Sequence, residues 1–181
     1  DARLVIESDW YQRIFPGTQL VADQNTKSKF VTTERGFRLA TSIGSAVTGS
    51  GADFLILDDP LNADGANSEV TREAANTWYD QVFSTRLNDR KEGCIILVMQ
   101  RLHENDLSGH LLAKGGWEHL SIPLIAEADT VYERGNIVVK REVGNLLHPE
   151  RLGEREIRQL KSELGPYSFA GQYQQRPAPD G

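Results

Sequence analysis

The chain has 181 residues, 39% hydrophobic and 25% charged, the composition of a globular protein with room for one real core. Its 20 basic and 26 acidic residues leave a net charge of −6, which gives no support to nonspecific nucleic-acid binding through bulk charge. No apolar run reaches bilayer length, and a single cysteine leaves no disulfide within the chain.

No signal peptide opens the sequence, and Asp1 rather than Met comes first, so it is expected to be a piece of a longer protein. Residues 1–14 read as the end of a helix. Leu4, Tyr11 and Ile14 recur at near-helical spacing, and Arg3 stands four residues before Glu7, although Leu4-Val5-Ile6 alone fits a strand equally. Phe15-Pro16-Gly17-Thr18 stops the element. Phe30 to Ser42 predicts a hairpin, with Phe30 and Thr32 on one arm and Phe37 and Leu39 on the other, turning at Glu34-Arg35-Gly36. Ser42 to Gly51, rich in glycine and serine, is expected to be a loop. Phe54-Leu55-Ile56-Leu57 predicts a short apolar strand that stops at Asp58-Asp59-Pro60.

Ser68 is placed to cap a helix running to Leu87. Val70, Ala74, Trp78 and Val82 form one stripe along it, and Ala75, Tyr79, Phe83 and Leu87 the next, giving a broad apolar face. Cys94 to Met99 is apolar at every position, as in a strand covered on both faces, and Cys94 is expected to be a small buried hydrophobe. Asn105 or Asp106 caps a short helix ending near Gly115-Gly116, and Trp117 to Ile122 predicts a further strand. Val131 to Val143 reads as a small hairpin. Glu154 to Leu164 predicts a helix and Pro166 to Gln175 another, with proline in its first turn. Arg176 to Gly181 has the composition of a linker. Strands alternating with helices predict an α/β fold with a mainly parallel sheet.

The chemistry centres on Asp58 and Asp59. An apolar strand ending in two carboxylates presents them at the carboxyl edge of the sheet, where α/β proteins bind ligands. There Asp58 is placed to hold Mg²⁺, directly or through water, and Asp59 to orient or deprotonate an attacking water. Paired acids before a proline also open ordinary turns. Just upstream, Gly44 to Ser50 has the glycine spacing of a phosphate loop, but Ser50 stands where the lysine is required, so the motif fails. Gln100-Arg101 directly follows the second apolar strand at the same kind of edge. The pair can sense a nucleotide, or it can make a salt bridge or helix contact.

Other polar residues carry less. His103, Glu104 and Asp106 superficially suggest a metal cluster, but adjacent side chains diverge, and the four histidines read as surface or satisfied core residues. Arg151, Arg155 and Arg158 can share a helical face, yet Glu154 and Glu156 are interleaved, as on a solvated mixed-charge helix.

Four blocks follow one another along the chain: Thr48 to Pro60, with Phe54-Leu55-Ile56-Leu57-Asp58-Asp59 at its centre; Trp78-Tyr79 with Thr85-Arg86-Leu87; Met99 to Gly109, opening with Met99-Gln100-Arg101; and Phe169 through Gln172-Tyr173-Gln174-Gln175-Arg176-Pro177. Their order and spacing resemble the large terminase subunits of tailed phages and prophages, the ATP-driven motors of viral genome packaging, over nearly the whole chain. The resemblance implies a three-layer RecA-like P-loop NTPase fold, incomplete at its N-terminal side. Residues 1–175 would be the C-terminal portion of the ATPase domain and residues 176–181 the start of a linker to a nuclease domain. Asp58 would be the Walker B aspartate. Asp59 would stand where many such ATPases carry a catalytic glutamate, one methylene longer. Gln100-Arg101 would couple hydrolysis to movement. The cofactors implied are ATP and Mg²⁺. The implied partners are double-stranded DNA, a portal protein, a small terminase subunit and further copies in a ring, in the host cytoplasm. The phosphate loop would lie upstream of residue 1, so the isolated piece is expected to be inactive toward ATP.

Two other readings stay open. One is a metal-dependent nuclease with Asp53, Asp58, Asp59 and Glu69 as a two-metal cluster. The other is a non-catalytic oligomerisation module.

Overall fold

A computed structural model describes residues 2–45, 47 and 49–177. The chain falls into two compact units that divide between Thr48 and Gly49.

In the first unit, two short helices, α1 (Ala2–Ile6) and α2 (Asp9–Ile14), precede an antiparallel sheet in the order β1 (Leu20–Asn25), β2 (Lys29–Thr32), β3 (Phe37–Leu39). The helical reading of the start therefore holds from Ala2 onward. Ser8 separates the two helices and caps the second, its hydroxyl accepting from the Tyr11 amide at 3.3 Å. The predicted hairpin is present, with Phe30 opposite Arg38 and the turn passing through a left-handed Arg35 before Gly36. β1 was not foreseen, because Ala22, Asp23 and Gln24 are exposed and break any apolar alternation.

The second unit is built on a parallel pair, β4 (Phe54–Asp58) and β5 (Cys94–Val98), in register from Phe54 opposite Cys94 to Asp58 opposite Val98. The crossover contains α3 (Ala63–Asn67), α4 (Glu69–Trp78), a π-helical turn over Tyr79–Phe83 and a 3₁₀ turn over Ser84–Arg86. Ser68 caps α4 as predicted, accepting from the Thr71 amide. Only one of the two predicted stripes is fully used. Ala75 is buried, and Tyr79 and Phe83 are buried in one cluster with Leu55, Leu57, Leu107 and Leu111, whereas Val70 is 77% exposed. Each large side chain in that cluster contributes about 1.5–3 kcal/mol by leaving water.

β5 departs from expectation. Ile95, Leu97 and Met99 pack on the Tyr79 side of the sheet, but Cys94, Ile96 and Val98 are exposed. β4 behaves alike, with Leu55 and Leu57 buried and Phe54 and Ile56 more than 60% exposed. The reason is the number of covering layers: among the described residues, helices cover one face of this pair. Cys94 is accordingly an exposed free thiol and not a buried hydrophobe.

α5 (Leu107–Lys114) starts on Asp106, whose carboxylate accepts from the Gly109 amide at 2.8 Å, and stops at a left-handed Gly115. Trp117 to Ile122 forms no strand; Trp117 joins the core, but the segment pairs with no other backbone among the described residues. The hairpin β6 (Thr130–Arg134) and β7 (Ile137–Arg141) is as predicted. The nearly buried Arg141 donates to the carbonyls of Pro123, Leu124 and Asn145, tying the hairpin to a second cluster of Leu124, Ile157 and Phe169. The two predicted C-terminal helices form one element, α6 (Glu154–Gln172), broken at a left-handed Gly165 ahead of Pro166. Of the proposed linker, only Arg176 and Pro177 lie within the described residues. The architecture is mixed α/β with small sheets and one parallel pair.

Candidate functional site

The carboxyl edge of the β4–β5 pair gathers three of the four predicted residues. Asp58 is the last residue of β4. The Asp59 amide still donates to the Val98 carbonyl at 2.9 Å, so the ladder runs one residue further before the chain turns. Gln100 lies two residues past Val98 and therefore at the same edge. Asp58, Asp59 and Gln100 are exposed. Neither aspartate side chain has a hydrogen-bond or ion-pair partner among the described residues.

Asp59 is left-handed, with φ of 43°, and precedes Pro60. That conformation is uncommon outside glycine and best tolerated by Asn and Asp. Such strain tends to be kept where it aims a functional group. Mg²⁺ binds through one or two carboxylates and retains waters, so an exposed, unpaired aspartate at a strand end suits it as a single protein ligand.

Arg101 has a different situation. Its Nε donates to both oxygens of the fully buried Asp106 at 3.1 Å, a terminal nitrogen reaches the Glu104 carbonyl, and its amide donates to Gln175 Oε1 at 3.1 Å. Asp106 also accepts from the amides of Leu102 and His103. The whole turn is thereby fixed, and Gln100 sits at its start. Asp106 was legible as a helix cap but not as the anchor of Arg101, because the two meet only when the turn closes.

The four sequence blocks meet in space. Ala52 exchanges backbone hydrogen bonds with Arg86 and Asn88 beside the start of β4, joining the first block to the Thr85-Arg86-Leu87 block. Tyr79 packs under β4. Gln175 reaches the Arg101 amide, and Gly171 lies so close to the Arg101 carbonyl that an added Cβ would stand 2.7 Å from it. Gln174 accepts from the Ile125 amide and donates to its carbonyl, closing the last block onto the segment before β6.

The alternative metal cluster is not assembled. Asp53 precedes β4 and Asp58 ends it, about 16 Å apart at strand rise. No group of three or more His, Cys, Asp or Glu side chains suited to a metal occurs among the described residues. His103 is buried, its Nδ1 accepting from the Asn105 amide. Arg158 pairs with Glu154 on an exposed helix face, as a solvated mixed-charge helix should. In the loop that imitates a phosphate motif, Gly44 and Gly49 are left-handed and no helix follows; Ala46 and Thr48 lie outside the described residues.

Asp80, on the π-turn, accepts from Lys114 Nζ at 2.5 Å and contacts His110 Nε2 at 3.0 Å, clamping that turn to α5. The Lys114 hydrogen bond, opposed by partial burial and helped by His110, holds the Asp80 carboxyl below its usual range. A lowered folded value means that the clamp stabilises above the ordinary carboxyl pKa and stops doing so as pH falls through the lowered one. Asp80→Asn should therefore cost up to about 1 kcal/mol near neutrality. The stabilities of the two proteins should begin to draw together as pH falls below about 4 and should coincide only once it has passed the lowered Asp80 value; a gap that persists in still stronger acid would show the effect is not electrostatic.

Compared with known proteins, the chain matches no family model and no curated protein.

Proposed function

We propose that this chain is the Asp58-bearing part of the ATPase domain of a terminase large subunit, a RecA-like P-loop NTPase that drives viral DNA into procapsids in the host cytoplasm. The observation that carries the reading is the pair of exposed, unpartnered carboxylates at the carboxyl edge of a parallel strand pair, with Gln100 beside them, inside the family-like order of blocks. In this reading Asp58 holds Mg²⁺, which supplies positive charge to the polyphosphate of ATP. Asp59 orients the attacking water. Gln100 sits where it can respond to the nucleotide, and Arg101 is a positioning residue that fixes Gln100 through Asp106. A phosphate loop upstream of residue 1 completes the site. DNA, a portal protein, a small terminase subunit and further copies in a ring are its partners, and a nuclease domain follows residue 176.

The left-handed backbone at Asp59 gives a clean test. Asn tolerates that conformation as well as Asp does, so Asp59→Asn removes the charge without adding strain. In the intact protein it should leave the thermal midpoint unchanged and lower ATP turnover roughly 10²–10⁴-fold. Unchanged turnover would reduce Asp59 to a turn residue.

A further inference from the structure

Gln100 is held from two sides. Before it, the β4–β5 ladder fixes the chain as far as Val98, whose carbonyl accepts from the Asp59 amide. After it, the nitrogen of the Gln100–Arg101 peptide donates to Gln175 Oε1 at 3.1 Å, although Gln175 lies 74 residues beyond Arg101. That bond grips the peptide joined to Gln100 itself, whereas Asp106 takes the Arg101 side chain and the next two amides. A second bond orients the Gln175 side chain: its Nε2 donates to the Gln172 carbonyl at 3.0 Å. With the nitrogen committed there, the oxygen faces Arg101. Gly171, one turn back in α6, keeps the approach open, since any Cβ there would meet the Arg101 carbonyl.

The backbone at Gln175 separates a side chain that is used from one that is incidental. Gln175 is left-handed, with φ of 56°. Its amide donates to the Gly171 carbonyl and that of Arg176 to the Ala170 carbonyl, so the chain wraps over the end of α6 around this residue. Helices that close on a left-handed residue usually place glycine there, because a Cβ in that conformation costs strain. Closing the helix therefore calls for glycine, and the contact with Arg101 is what calls for an amide carried on two methylenes. We infer that Gln175 is a positioning residue for the nucleotide edge: its side-chain amide sets the Gln100–Arg101 peptide and, through it, the placement of Gln100 beside Asp58 and Asp59. The inference rests on the ATPase reading, in which Gln100 responds to the bound nucleotide.

Gln175→Gly and Gln175→Asn, each in the intact protein, are the test. Both suit the left-handed backbone, glycine because it has no Cβ and asparagine by its tolerance of that region, and neither carries an acceptor as far as Arg101. The thermal midpoint should hold, while residue-resolved hydrogen exchange at the Arg101 amide should quicken at least about 10-fold. In ATP turnover, kcat should fall about 10–100-fold with KM unchanged, because a misplaced Gln100 impairs the response to the nucleotide and not the hold on it. In a Gln100→Ala background the same substitutions should lower kcat no further, the non-additivity of residues that act as one unit. Unchanged kcat with a released Arg101 amide overturns the proposal and leaves Gln175 as a helix terminator. A full further loss in the Gln100→Ala background also overturns it, since the effect would then bypass Gln100. So does an Arg101 amide that stays protected, or a midpoint that drops in both variants together with kcat. A parent inert toward ATP sinks the motor reading and this inference together, whereas an active parent with indifferent variants sinks this inference alone.

Discussion

Asp58→Ala in the intact protein should abolish ATP turnover, a loss of at least about 100-fold, while leaving stability within about 0.5 kcal/mol of the parent. The two halves of that expectation have separate grounds. Stability is untouched because the carboxylate is exposed and makes no contact that the fold uses. Turnover falls because, in the proposed reading, this carboxylate holds the nucleotide's Mg²⁺. That metal supplies several kcal/mol of charge stabilisation to a phosphoryl transfer. An oligomerisation module predicts no change in either quantity. A nuclease built on the same aspartate predicts loss of DNA cleavage with ATP turnover intact. Near-normal turnover by the variant would remove the Walker B assignment.

The largest stability effect should come from Asp106→Ala, at about 3–5 kcal/mol. Asp106 is completely buried and accepts from the Arg101 guanidinium and from three amides, those of Leu102, His103 and Gly109. Truncation leaves a cation and three donors without their acceptor and removes the cap of α5 as well. Arg101→Met should cost less, because Asp106 would keep its three amide partners. Chemical denaturation with the denaturant slope held constant is the measurement, and an Asp106→Ala cost under about 1 kcal/mol would mean that the turn is held by other contacts. A loss of this size is comparable to the whole stability of a marginal domain. Asp106→Ala is consequently a poor probe of catalysis, and Gln100 must be tested directly.

The site was more legible than its surroundings. Four apolar residues mark β4, and the two acids after them, a pattern that also opens ordinary turns, coincide with its end at Asp58. The cap at Ser68, the cap at Asp106 (one of two positions expected) and the break at Gly165-Pro166 are local chemistry, fixed within a few residues. Features that depend on distant partners were not legible. A run such as Cys94 to Met99 looks covered on both faces because every residue is apolar, yet the described residues cover one face only. Trp117 to Ile122 pairs with no other backbone among the described residues, although its composition suits a strand. β1 escaped because its pairing is held by backbone bonds while its side chains are mostly polar. The π-turn at Tyr79–Phe83 lengthens the hydrogen-bond spacing of the helix by one residue, a departure that no periodicity argument anticipates. Arg101 shows the same limit at the site itself, since its partner lies five residues ahead across a closed turn.

The most direct measurement replaces Mg²⁺ with Mn²⁺ in the intact protein bound to a non-hydrolysable ATP analogue and locates the metal by its anomalous scattering. Mn²⁺ should appear at the carboxyl edge of β4, bound to the Asp58 carboxylate directly or through one water, and should be lost from that position in Asp58→Asn. A metal–nucleotide complex seated elsewhere, or retained at full occupancy by Asp58→Asn, would contradict it.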